Sequence, residues 1–301
     1  MKKILVPTDF SPNADKALDF AVQIARKAKA KIILIHACDL LDLKFKDYSG
    51  LKKTYNQQMV RELRAKLSSY RGSIETTEKL QVETKLYEGL VTHTIVEAAK
   101  LHKPDLIVMG TLGNAGTKER ILGSKTASVI AKVNTPVLAV PLFSEWKDPT
   151  NLLLALNNFN EGKPGTVRPL VELAELFSAN LTVVKFSEAV TATPHKYLSI
   201  ERSGNTYVKK LKDAGKIPAA SFIHLDGHKF EKNIERFILK QHIDIVAMIT
   251  HRRNFVKNLF NRSMTRKMSY HTTIPLLALP APQLPGTRFA PEDQWINKVI
   301  L

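Results

Sequence analysis

Leu106-Ile107-Val108-Met109-Gly110-Thr111-Leu112-Gly113, then nine residues, then Gly123-Ser124, is the stretch from which the rest of this chain can be read. An apolar run long enough for a buried strand passes straight into a glycine-spaced loop. A glycine just past a strand permits a tight turn and close approach of backbone to a ligand. A helix opening at Gly123-Ser124 would direct its free N–H groups and positive dipole end at an anion. The stretch is therefore a candidate phosphate cradle. It is neither G-x-x-x-x-G-K-[ST] nor G-x-G-x-x-G after a first strand, so the P-loop and the usual dinucleotide fingerprint are excluded.

Outward from this stretch the sequence repeats itself. Residues 103–110 align with 242–249 at an offset of 139, and Thr135-Pro136-Val137-Leu138-Ala139-Val140-Pro141 aligns with Ile274-Pro275-Leu276-Leu277-Ala278-Leu279-Pro280 at the same offset. Ile4 to Asp9 meets Leu152 to Asn157 at 148, so the second copy is nine residues shorter between its first strand and this region. Within each copy short apolar runs alternate with amphipathic stretches, the pattern of β-α-β units around a parallel sheet. In the first copy the runs 3–7, 31–37, 82–86, 106–110 and 137–140 read as strands. Residues 14–29 place Ala17, Leu18, Ala21, Ile24, Ala25 and Ala28 at helical spacing, further helices are expected around Leu51 to Leu67 and over 92–101. Right-handed crossovers then give an open Rossmann-like sheet that binds ligands at the carboxyl ends of its strands.

The spacing G-x-x-G-x(9)-G-S, together with Ile4-Leu5-Val6-Pro7-Thr8-Asp9-Phe10-Ser11, resembles the universal stress protein family. The resemblance covers nearly all of both copies. It implies two tandem Rossmann-like (adenine nucleotide alpha hydrolase-like) α/β domains, residues 1–142 and 150–281, followed by a tail over 282–301, each domain an open five-stranded parallel sheet of order 3-2-1-4-5. It also implies ATP as ligand. By resemblance Asp9 and the Pro7-Thr8 backbone would meet the adenosine and backbone near Ala37 the adenine edge, while Gly110, Gly113, Gly123 and Ser124 match the phosphate motif, with Lys125 and Thr126 beside them. Asp9 also reads as a turn carboxylate ahead of Ser11-Pro12, a good cap and first helical residue. Lys118 and Arg120 are near enough to assist at the phosphates, although a charged loop is more often simply solvated. Mg²⁺ would be held by phosphate oxygens and water, since no protein metal cage is visible and the nine histidines are scattered singly.

The second copy departs at the same positions. Asn157 stands for Asp9, Ile249 for Gly110, Arg252 for Gly113 and Arg262 for Gly123, with only Ser263 kept opposite Ser124, so this copy is expected not to take ATP in the same way. Residues 251–267 carry six Lys and Arg and no acid, either an anion patch or a solvated helix surface.

Composition bounds the function class. A single cysteine, Cys38, allows no internal disulfide and fits a reducing cytoplasm. The apolar start stops at Pro7, too short for an export segment, and no run approaches a membrane span. The net charge of +17 is spread evenly, with 23 Lys and Arg against 15 Asp and Glu through Trp146 and 22 against 13 after it, so it does not single out a nucleic-acid face. No general base is poised against a nucleophile, and neither S-G-G-x-D-S nor H-x-G-H occurs, so regulation through bound nucleotide is expected rather than catalysis. A scaffold of the same fold that binds a protein partner without nucleotide is the alternative. The edge runs 137–140 and 276–279 are expected to pair the two halves as an internal pseudo-dimer, with association of whole chains left open. The tail begins proline-rich and ends in Trp295, Ile296, Val299, Ile300 and Leu301, apolar residues that either dock or remain disordered.

Overall fold

The computed structural model describes residues 1–40, 49–111, 122–156, 158–187, 193–226, 230–250 and 274–281. Gly113, Lys118, Arg120, Asn157, the basic stretch 251–267 with Arg252, Arg262 and Ser263, and the tail 282–301 lie outside the described residues. In the first copy the order is β1 (Lys3–Pro7), α1 (Pro12–Ala28), β2 (Lys31–Cys38), α2 (Ser49–Glu78), β3 (Val82–Glu88), α3 (Val91–His102), β4 (Leu106–Gly110), α4 (Ser124–Lys132) and β5 (Val137–Val140). The second runs β6 (Asn151–Leu156), α5 (Pro164–Phe177), β7 (Asn180–Ser187), α6 (Pro194–Ala214), β8 (Ala220–Asp226), α7 (Phe230–Lys240), β9 (Ile245–Thr250) and β10 (Leu276–Pro280).

The strands form one ten-stranded sheet in the order β3-β2-β1-β4-β5-β10-β9-β6-β7-β8. Each half reads 3-2-1-4-5 outward to inward, parallel throughout. The halves meet where β5 and β10 pair antiparallel, with Leu276 opposite Ala139, Leu277 opposite Leu138 and Ala278 opposite Val137. At the repeat offset of 139, Leu277 is the counterpart of Leu138, so the centre of this pairing joins a residue to its own repeat equivalent. That is the isologous geometry of a two-fold interface, written within one chain.

Alternate side chains of each strand enter different cores. Ile4, Val6, Ile32, Leu34, Leu138 and Leu277 face α1, α2, α5 and α6; Leu5, Ile33, Ile35, Ala139 and Ala278 face α3, α4 and α7. Both cores continue across the β5–β10 junction, which explains why central strands are apolar without alternation. α1 begins as its sequence dictates: Ser11 accepts from the Ala14 N–H at 3.2 Å, Pro12 occupies the first turn, and Lys29 closes the helix at φ 53°. The linker adds a bridge between the halves. Trp146 packs edge-on against Phe20 of α1 at 5.0 Å and on Phe177 of α5 at 5.7 Å.

One aspartate is used twice. Asp105, ahead of β4, accepts from the backbone N–H groups of Lys2 and Lys3 at 2.5 and 2.9 Å. Its repeat equivalent Asp244, ahead of β9, accepts from those of Thr150 and Asn151 at 2.7 and 2.9 Å. Each pins the start of its half's first strand to the start of its fourth.

At the outer edge, Glu83 of β3 receives Lys31 at 2.5 Å and Lys85 at 3.0 Å. The Lys31 hydrogen bond, opposed by burial and helped by Lys85, pulls its carboxyl from the ordinary 4.5 down to about 2. A depressed folded-state pKa stabilises above the unfolded value and is lost as pH falls through the folded one. Melting temperature measured against pH should therefore fall more steeply for the native chain than for Glu83→Gln between pH 4.5 and about 2. Parallel curves would remove Glu83 from the acid transition.

Candidate functional site

The order of strands reverses between β1 and β4, and the site residues gather at the carboxyl ends of those two neighbours. The pairing of Ile4 with Leu106 and Leu5 with Ile107, continued upward, sets Thr8 level with Gly110. The pairing of Pro7 with Ile35 brings Ala37 to the level of Asp9 on the other side. Ligand crevices of open α/β sheets form at such a reversal.

A tight turn presents Asp9. Thr8 continues the ladder by donating its N–H to the Ile35 carbonyl at 2.8 Å, and its buried hydroxyl oxygen accepts from the Phe10 N–H at 3.0 Å. Phe10 takes the left-handed conformation at φ 59°. Asp9 is exposed, and one of its oxygens accepts both the N–H and the hydroxyl of Ser11. The second oxygen meets no donor among the described residues. Asp9 thus serves the turn with one oxygen and leaves the other able to accept hydrogen bonds.

Beside Asp9, on the β2 side of β1, lies an aromatic cluster that sequence reasoning missed. His36 bonds the Thr8 carbonyl through Nδ1 at 2.7 Å, so Nδ1 carries the proton and Nε2 is left as an acceptor in the neutral ring. The Phe10 ring lies 4.7 Å from His36 and 5.6 Å from Tyr70 of α2, with Lys66 5.6 Å above it. Tyr70 donates to Asp15 at 2.8 Å. Burial, with Lys66 adding to it, lowers the His36 pKa against the opposing pull of Thr8 and Asp9. Burial and the Asp15 carboxylate push Tyr70 up to about 12. No periodic signature marks such a cluster.

At the end of β4, α4 starts at Ser124 with Gly123 as N-cap at φ −64° and ψ 157°, and no side chain caps the helix. The N–H groups of Ser124, Lys125 and Thr126 are those a helix cannot satisfy internally, and Ser124 and Lys125 are exposed. The Gly123 N–H is already given to the Thr111 carbonyl, so it closes the loop rather than pointing outward. The Thr126 hydroxyl is likewise engaged, donating to the Gly110 carbonyl at 2.7 Å and strapping α4 to the end of β4. Thr111 is 1% exposed, and its hydroxyl has no partner among the described residues.

Gly110 is explained by packing as much as by ligand approach. A Cβ there would lie 2.3 Å from the Asn13 side-chain nitrogen and 2.7 Å from the Asn13 carbonyl oxygen, so the first turn of α1 rests on the end of β4 only because position 110 has no side chain. In the second half Ile249 occupies that place, buried in the core beneath α5 and α6. Lys185 stands in β7 where His36 stands in β2, 5.5 Å above the ring of Phe159. Phe159 in turn packs on Tyr207 and Phe222, an aromatic filling that no sequence pattern announced.

Comparison with known proteins agrees with this architecture. The model of the universal stress protein family matches residues 1–141. Two universal stress proteins of Methanocaldococcus jannaschii are 33% and 32% identical over 153 and 145 residues, covering 46% of this chain and 94% and 81% of their own lengths. The crystal structure of a universal stress protein from Archaeoglobus fulgidus superposes with a TM-score of 0.72 at 16% identity over 92% of this chain and 98% of its own, a likeness of fold. The chain belongs to the universal stress protein family.

Proposed function

We propose that the first half, residues 1–142, binds ATP at the crevice between β1 and β4 and that the second half, 150–281, is a degenerate copy serving as its built-in partner across the β5–β10 junction. The observation that carries this reading is the convergence of an exposed carboxylate, Asp9, and the uncapped amino end of α4 on neighbouring strand ends. The Pro7-Thr8 backbone and Asp9 would hold the nucleoside, with Ala37 at the base. Gly110 and Gly113 would allow the phosphates to approach, and the backbone at Gly123, Ser124, Lys125 and Thr126 would lie along them. The fit is good for a polyanion: exposed N–H groups at a helix start beside Lys125 favour negative charge. Mg²⁺ would sit on phosphate oxygens, since no group of three His, Cys, Asp or Glu among the described residues is placed to hold a metal. The chemistry supplied is recognition, and the role is nucleotide-dependent regulation in cytoplasmic stress adaptation. No helix among the described residues is long and apolar enough to cross a membrane.

A scaffold that binds a protein partner without nucleotide is the second reading. It is favoured by one observation, that the Gly123 N–H is committed to Thr111.

Calorimetry decides between them. ATP with magnesium should bind with one equivalent per chain, and at a hundredfold excess over the dissociation constant should stabilise the fold by about 2.7 kcal/mol. Two equal sites would refute the asymmetry. Absence of both heat and thermal shift at millimolar ATP would overturn the nucleotide reading and leave the scaffold as the reading to test.

A further inference from the structure

The linker and the end of α7 enclose a groove of about 700 Å³ that the nucleotide reading does not use. Phe143, Trp146, Ile238, Leu239, Ile274 and Pro275 line it. Phe143 is 79% and Leu239 74% exposed. Glu145, Lys147, Glu235 and Asp244 also line the groove. A single exposed apolar side chain is ordinary, but two large ones flanking one groove mark a contact surface.

We infer that the groove is the docking site of this chain's own segment 292–301. That segment carries Trp295, Ile296, Val299 and Ile300 at spacings of one, three and one, which one face of a helix would present together. Its reach is ample. The chain leaves β10 at Pro280, and the groove lies at the other end of that strand, beside Ile274 and Pro275. Five strand residues span about 17 Å, whereas the fourteen residue-to-residue steps from Ala281 to Trp295 extend to about 46 Å. A tethered segment meets its site at millimolar effective concentration, well above that of a free partner or second copy. Docking would cover Phe143 and Leu239 and clamp the linker against α7.

The chain has two tryptophans, so Trp146→Phe leaves Trp295 as sole reporter while keeping an aromatic ring between Phe20 and Phe177. In that full-length variant Trp295 should emit as a buried indole and resist acrylamide. Adding Leu239→Glu should red-shift it and raise quenching several-fold, whereas Leu101→Glu, at an exposed site on α3, should leave it unmoved. Circular dichroism checks that each variant is folded. In the otherwise native chain, oxidising Leu239→Cys with Val299→Cys should give a disulfide within one chain. Solvent-exposed Trp295 emission from the start, shielding indifferent to Leu239→Glu, or shielding lost on dilution with disulfides between chains would each overturn the inference, the last by placing a second copy in the groove.

Discussion

Gly123→Val is expected to abolish measurable ATP binding while the protein stays folded. The backbone at Gly123, φ −64° and ψ 157°, is extended and open to any residue, so valine brings no dihedral strain. Its cost is the exchange of a tolerated N-cap for a poor one, about 1 kcal/mol. The branched side chain would stand at the mouth of α4, where the phosphates are proposed to meet Ser124 and Lys125. A loss of at least about a hundredfold in affinity, about 2.7 kcal/mol, should follow. Ser263→Ala, at the second copy's remaining motif position, should leave affinity unchanged. Equilibrium dialysis on both variants checks this. Equal losses would mean that both copies bind, and no loss in Gly123→Val would remove α4 from the site.

The asymmetry behind that expectation was legible because it lies in residue type at repeated positions. Gly110 against Ile249 needs no coordinates to show that one strand end admits close approach and the other carries a branched side chain. The strands were legible for a related reason: buried on both faces, 4–6 and 106–109 could only be continuous apolar runs, and β1, β4 and β5 begin and end where the sequence places them. α2 was harder. It runs thirty residues, Ser49–Glu78, yet among its described large apolar residues only Leu67 and Ile74 are buried, so its apolar stripe is too sparse to mark either end. β2 and β3 likewise continue to Cys38 and Glu88, past their apolar cores, because ladder pairing between them persists that far.

Side-chain contacts across the fold left no such trace. The sequence points Gly110 toward a ligand and says nothing of Asn13, which a side chain there would strike. The sequence sets Thr126 beside the motif without showing that its hydroxyl straps α4 to β4. Phe10, His36 and Tyr70 come from three elements and meet only once the sheet is assembled. Trp146 reads as a linker residue until α1 and α5 close on it from opposite halves. Such contacts join residues far apart in sequence, and neither helical nor strand periodicity encodes them.

The two equivalent aspartates allow the halves to be weighed against each other. Asp244→Ala should cost about 3 kcal/mol and Asp105→Ala about 1, although both accept two backbone N–H groups from the start of a first strand. The difference is burial. Asp105 is exposed, so water replaces it when it is removed. Asp244 is 7% exposed and also takes the Thr150 hydroxyl at 3.1 Å and the Lys147 ammonium at 2.5 Å. Burial opposes its ionisation, but Lys147 and the Asn151 and Thr150 N–H groups outweigh that and lower its pKa. Its removal would leave the part-buried N–H groups of Thr150 and Asn151 without their acceptor where the linker enters β6, and a donor left unsatisfied away from water costs desolvation energy. Lys147 is 68% exposed and can turn to water, which keeps the loss below that of a fully buried ion pair. Urea unfolding of both variants, with slopes compared so that a change in the unfolded state is recognised, measures the two costs. Equal costs would show that the pin's value lies in its backbone hydrogen bonds alone, with burial and Lys147 adding nothing.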